Sequence, residues 1–269
     1  MNGVAFRHAL RSSFRTSLIV SVALGLFYWV ILLSSASFLD ASDQTLPEFL
    51  REPPKVMQAF LGGSADFLSP IGWLSTGTLH PIVLTLTAIG AFMVVTGTGA
   101  TELERGTIEL VLVRPIGRTP YVLARAAAGL VLLTIVELGG FGGTLVARAT
   151  VSGVGTLPVG GIALTFAGHL LLFAGFGMIA LLVFSTASLR SRALGLSIGI
   201  VVGAFFVNFV SLLFDSLTWL GYLSPFHYFS AAEILERRAS AFDWIVLAAV
   251  ALGAGALAVH LFARRDLSR

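Results

Sequence analysis

Few side chains in this sequence are equipped for chemistry, and the setting of each narrows what it can do. Gly195-Leu196-Ser197-Ile198-Gly199 spells G-x-S-x-G, a pattern that can present a serine nucleophile, and His260 lies at a comparable depth in the last apolar stretch as a candidate base. A nucleophile elbow needs a strained strand-to-helix turn, whereas this motif sits inside a continuous helical pattern. Gly195, Gly199 and Gly203 also recur at every fourth residue, which suits close helix packing. Gly139 and Gly143 repeat the spacing beside Glu137. Glu137 and His169 stand at similar depths in two other apolar stretches, and Asn208 is a further polar candidate. A charge at such a depth costs ~2.5–3.5 kcal/mol on insertion scales. The functional reading is a polar point on a transport path or a proton-sensitive switch, with ion-coupled transport by Glu137 as a variant. The plainer one is a structural hydrogen bond with a protonated Glu137.

Two counts exclude other chemistries. With no cysteine, disulfides, thiolate metal sites and cysteine nucleophiles are ruled out. The one lysine, Lys55, lies between Pro54 and Val56, so no G-x-x-x-x-G-K-[ST] phosphate loop exists, and this chain cannot hydrolyse ATP in that manner by itself. The densest charge run is Thr101–Arg125, TELERGTIELVLVRPIGRTPYVLAR, with four arginines and three glutamates in one connection. Thr101 with Glu104 fits a capping box, Pro115 and Gly117 stop the helix, and Thr119-Pro120 opens the next. The product is a short charged helix parallel to the membrane. A plain basic loop explains the arginines but not the interleaved glutamates.

The elements that position these residues are membrane spans. A mean hydropathy of +0.92, with 56% hydrophobic and 12% charged residues, excludes a soluble domain of this size. Apolar stretches at 17–38, 81–100, 122–147, 162–184, 194–214 and 244–262 each approach the ~20 residues a spanning helix needs. The expectation is an all-α integral membrane protein of six transmembrane helices, with no alternating segments of a β-barrel. Residues 3–15 read as an amino-terminal interfacial helix, with Phe6, Leu10 and Phe14 beside Arg7, Arg11 and Arg15. A plain basic flank, or a secretory signal ending at Ser34-Ser35-Ala36, are the rival readings. Residues 39–79 read as a helical extracytoplasmic cap, in which Pro53-Pro54 opens and Gly62-Gly63 closes a helix burying Val56, Met57, Phe60 and Leu61. With the amino terminus inside, twelve of the seventeen basic residues fall on inner segments, so both termini are expected in the cytoplasm. The basic balance reflects this bias and not nucleic-acid binding.

The charged connection resembles the E-x-E-R-G-T-x-E-L-x-L-x-R-P-x-x-R signature of type-2 ABC transporter permeases, at Glu102, Glu104, Arg105, Gly106, Thr107, Glu109, Leu110, Leu112, Arg114, Pro115 and Arg118. The runs around Leu46-Pro47, Phe60-Leu61-Gly62 and Asp66-Phe67-Leu68, with Ser224-Pro225-Phe226-His227-Tyr228 and Arg264-Arg265-Asp266-Leu267, are similar to the same family. The resemblance implies a coupling helix at 101–121 that sits on a separate ABC ATPase subunit, which would hold ATP and Mg. It also implies a second permease copy or related permease and a multi-pass place in the cell membrane. The connection before the last span is implied to dip partway back into the bilayer. No catalytic group and no cofactor are expected in this chain. Its apolar spans favour a lipid or amphipathic drug-like cargo. An ion-coupled transporter would need an inverted repeat, which is not seen.

Overall fold

The computed structural model describes residues 3–39, 52–62, 66, 68–96, 117–187 and 190–264. Nine α-helices occur among them: α1 (Gly3–Leu39), α2 (Lys55–Phe60), α3 (Pro70–Thr78), α4 (Pro81–Thr96), α5 (Arg118–Thr150), α6 (Val159–Thr186), α7 (Arg190–Leu213), α8 (Ala231–Leu235) and α9 (Ala241–Arg264). Short 3-10 turns lie at Val154–Thr156, Asp215–Leu223 and Pro225–Tyr228, and no strand occurs among the described residues. The chain is an all-α integral membrane protein. Five helices, α1, α5, α6, α7 and α9, are each long and apolar enough to span, and α3 with α4 makes a sixth as a bent pair.

Two features depart from the sequence expectation. Residues 3–15 are helical, but they continue without a break into the first span as one helix of 37 residues. Its length, about 55 Å, exceeds the ~30 Å hydrocarbon core, so it reaches beyond one face of the bilayer. The second span, expected to start at 81, begins at Pro70 when the bent pair is counted as one, with a bend of 49°. Ser69 caps α3 by accepting from Gly72 N at 3.0 Å, and Pro70 occupies the first turn, where a missing N–H costs nothing. Residues 72–78 of the segment read as a cap are therefore packed: Trp73 and Leu74 are buried beside Tyr28 and Leu32 of α1. Helix α2 forms after Pro54, but it buries Ala59, with Leu61 behind it, and leaves Val56 and Phe60 more than a third exposed.

The bundle closes on glycine. Helices α1 and α5 run parallel, since Ser17 Oγ donates to Leu132 O at 2.8 Å, Ser21 Oγ to Ile135 O at 2.7 Å, and Trp29 Nε1 to Thr150 Oγ1 at 3.3 Å. Between these bonds a Cβ on Gly139 would lie 2.0 Å from Ser21 O, and one on Gly143 would lie 2.0 Å from Gly25 O. Only hydrogen side chains permit that approach. Helix α4 runs antiparallel to α5, with Gly90 against Leu133 and Val136 and Gly129 against Val94. Helix α6 is the hub: 67% of its most apolar stretch is buried, against 22% for α7 and for α9.

Candidate functional site

Glu137 of α5 and His169 of α6 meet inside the bundle, His169 Nδ1 lying 2.9 Å from Glu137 Oε1. Both side chains are almost fully buried. The rings of Phe173 and Phe229 flank His169 at 4.9 and 5.4 Å, so its imidazole is walled by aromatics. Glu137 Oε2 and His169 Nε2 are buried without a partner. The depth match in the sequence thus corresponds to a real contact. Asn208 is also buried, on α7, but it lies outside this hydrogen bond, and its side-chain oxygen is without a partner.

Two clefts lie between the helices, and they share no lining residue. One, of about 230 Å³ between α5 and α6, is walled by Leu138, Phe141, Phe166 and Leu170 and includes Glu137. The other, of about 420 Å³ between α4 and α7, is lined by Leu84, Ile89, Phe92, Val201 and Phe205 among other apolar residues. Phe60 of α2 closes one end of it, edge-on to Phe205 at 5.6 Å and to Phe209 at 6.1 Å. Lys55 of the same short helix pairs with Asp215 at 2.8 Å, beyond the end of α7. The run at Ser224–Tyr228 turns into the bundle: Ser224 Oγ donates to Ala204 O at 2.8 Å, and buried Phe226 packs between Phe173, Phe176 and Phe205.

Of the residues read as ATPase-coupling, Glu102, Glu104, Arg105, Gly106, Thr107, Glu109, Leu112, Arg114 and Pro115 lie outside the described residues. Arg118, the first residue of α5, reaches Ala263 O of α9 at 3.4 Å. One residue with a bearing on coupling is not singled out by the sequence, where Arg125 is only one more inner-face arginine. Arg125 is buried, its Nη2 donates to Val94 O near the end of α4 at 2.8 Å, and its guanidinium lies 5.9 Å from the rings of Tyr121 and Phe184. Phe262 of α9 stacks on both rings, so one guanidinium joins the ends of four helices. The one local hint is Tyr121 four residues earlier, a spacing that puts ring and guanidinium on one helix face.

The hydrolase reading gains nothing from this geometry. Ser197 Oγ donates to Ala193 O at 2.7 Å within the unbroken α7, and His260 is an exposed residue of α9. The glycine ladder is bare. A Cβ at Gly195, Gly199 or Gly203 would meet no described atom within 4 Å, so no described part of this chain packs on them. The close helix packing comes instead from Gly139 and Gly143 against α1.

No curated protein and no solved structure matches the chain. The family model described as ABC-2 family transporter protein matches residues 6–267, nearly the whole length. That family comprises transport membrane subunits which normally work with an ATPase partner. Six alternating apolar helix units, of which one is a bent pair, and a match from the first turns of α1 to just beyond α9 agree on one conclusion: the chain is a multi-pass membrane protein of the ABC-2 transporter family.

Proposed function

We propose that this chain is the permease subunit of an ATP-driven exporter in the cell membrane, with both termini in the cytoplasm and separate ATPase subunits seated on the 101–121 hairpin. ATP and Mg belong to those subunits, and the work of this chain is mechanical. One observation carries the reading. The hairpin joins α4 to α5, and these antiparallel helices are fastened at that end by the bond from Arg125 to Val94 O. A push on the hairpin is therefore delivered to both helices together. Helix α4 is also one wall of the α4–α7 groove, so the same push changes the groove.

The lining of that groove supports a lipid or amphipathic drug-like cargo, because its side chains offer apolar contact and scarcely any hydrogen bonding. Glu137 and His169 supply a polar point beside the path, and Asn208 supplies another on α7. The bare glycine face of α7 supports a second permease copy, or a related permease, as the surface that covers it. The test uses Glu104→Ala and Arg105→Glu in the complex reconstituted with its ATPase. Both variants are expected to insert and assemble while cargo-stimulated ATP hydrolysis falls toward the basal rate. Full stimulation in both would remove the hairpin from the coupling path. Mass spectrometry of what co-purifies with the gently solubilised protein identifies the ATPase and the cargo together.

A further inference from the structure

We propose that the cleft between α5 and α6 is a lateral binding site, open to the lipid, for an amphiphile whose head group donates a hydrogen bond to Glu137; a long-chain ammonium is the class that fits. The proposal rests on the reading that these helices span a bilayer and names a cargo class for it.

The chemistry of the lining selects the ligand. Leu138, Phe141, Phe166 and Leu170 give the cleft apolar walls, and Ala163 and Ala167 leave the space between them. Two lining residues are polar. Thr134 already donates its hydroxyl to Leu130 O at 2.8 Å, one turn back on its own helix. That leaves Glu137. His169 occupies Oε1, while Oε2 is buried with no partner. The Tyr28 hydroxyl on α1, buried and likewise without a partner, does not supply the missing bond. A buried carboxylate oxygen with no donor is costly, and a charged donor compensates it best. The donor cannot come past His169, whose ring is fenced by Phe173 and Phe229. Of the two clefts, this is the one that Glu137 lines. An anionic head or a plain hydrocarbon would bring no proton to share, so neither completes the site.

Size and setting select the rest of the molecule. At about 230 Å³ the cleft is smaller than the ~300–1,000 Å³ of a pocket that encloses a drug-sized ligand. It takes a head group and the start of a chain, and the remaining chain stays among lipid tails. Leu138 and Ala163, both exposed, stand where that chain would leave. This cleft shares no lining residue with the α4–α7 groove, so it serves as a place of capture from the membrane and not as the groove itself.

The test labels Glu137 from the lipid side, in the full chain reconstituted into phosphatidylcholine vesicles. Dicyclohexylcarbodiimide, which partitions into bilayers, adds to a carboxylic acid. A carboxyl oxygen bonds to the carbodiimide carbon, the proton passes to nitrogen, and an oxygen-to-nitrogen acyl shift leaves a stable acylurea with no atom lost. Peptide mass spectrometry is expected to find the adduct on Glu137, none with a water-soluble carbodiimide, and none at position 137 in Glu137→Gln. Dodecylamine is expected to slow labelling about tenfold when present at ten times its dissociation constant, because the free fraction falls by that factor. Dodecanoate at the same membrane concentration is expected to give no protection. Ala167→Phe fills the cleft and should block labelling while thermal unfolding shows an intact fold; Ala163→Leu serves if that variant does not fold. Absence of the adduct in the folded wild-type protein, or equal protection by amine and dodecanoate, would overturn the site. The experiment needs neither ATP nor ATPase, so its failure leaves the exporter reading standing, and loss of hairpin coupling leaves the cleft standing.

Discussion

Glu137 and His169 each carry an insertion cost that neither has reason to bear alone, and that makes their pairing legible in the sequence. Two polar residues at one depth on different helices have each other as the nearest remedy. The 2.9 Å contact joins these two, while Asn208, another candidate partner in the sequence, stays outside it. Arg125 is not legible in the same way. Its burial depends on Val94, Phe184 and Phe262, which come from three other helices, and no local pattern foretells that they converge. We predict that Glu137→Leu destabilises the protein by about 1–3 kcal/mol, because it strands the His169 ring nitrogen. Glu137→Gln keeps an acceptor and should cost less, while changing transport more than stability. Adding His169→Phe to Glu137→Leu should recover part of the loss, since replacing both partners is gentler than removing one. Tryptophan-monitored thermal unfolding in detergent checks this, and strictly additive losses would show that the pair does not interact. For Arg125, we predict that Arg125→Met costs about 1.5–3 kcal/mol through the lost charge-assisted bond. Arg125→Lys should not restore it, because an ammonium lacks the planar fork that reaches Val94 O from beside Tyr121 and Phe184.

Among the elements, the sequence locates the helices well and their contacts less well. Hydropathy alone finds α1, α4, α5, α6, α7 and α9, because twenty apolar residues have few other uses. It cannot find α3. The segment PIGWLSTGT falls inside the run read as an extracytoplasmic cap, and its burial arises from close fits made elsewhere. A Cβ at Gly72 would lie 1.7 Å from Asp66 O, and one at Gly77 would lie 3.3 Å from the Tyr28 ring. Glycine spacing has the same ambiguity. The ladder at Gly195, Gly199 and Gly203 and the shorter pair at Gly139 and Gly143 look alike on paper, yet among the described residues only the second is filled from within the chain. The two therefore answer differently to enlargement. We predict that Gly143→Leu prevents correct folding or costs more than the ~1–3 kcal/mol typical of overpacking, since backbone and not a flexible side chain blocks the added group. Gly199→Leu should leave the unfolding temperature of the isolated subunit unchanged and lower the yield of the permease dimer. Unfolding in detergent and chemical cross-linking in native membranes separate the two, and a Gly199→Leu variant that assembles normally would free α7 from the dimer interface.

At the scale of the molecule, the contacts fix the helix directions. Helix α1 is parallel to α5, α4 is antiparallel to α5, and α6 is antiparallel to α5, as the pairs Glu137–His169 and Arg148–Leu157 require. Helix α9 follows α6, with Gly175 beside Val250 and Phe184 beside Phe262. Gly3, Arg118 and Arg264 therefore share one end of the bundle, and Thr150, Val159 and Asp215 the other. That arrangement is what the arginine asymmetry requires, since Arg7, Arg11, Arg15, Arg118 and Arg264 all gather at the first end. Direction within the bundle does not by itself say which end meets the cytoplasm. The positive-inside rule supplies the choice, and the lack of native cysteine makes it simple to check. Ser12 on α1 and Ser152 in the turn after α5 are both exposed and lie at opposite ends. We predict that, in intact cells, an impermeant maleimide labels Ser152→Cys at once and Ser12→Cys only after the membrane is opened. The reverse order would place the 101–121 hairpin outside the cell. No ATPase could then reach it, so one labelling experiment tests both the orientation and the premise on which coupling depends.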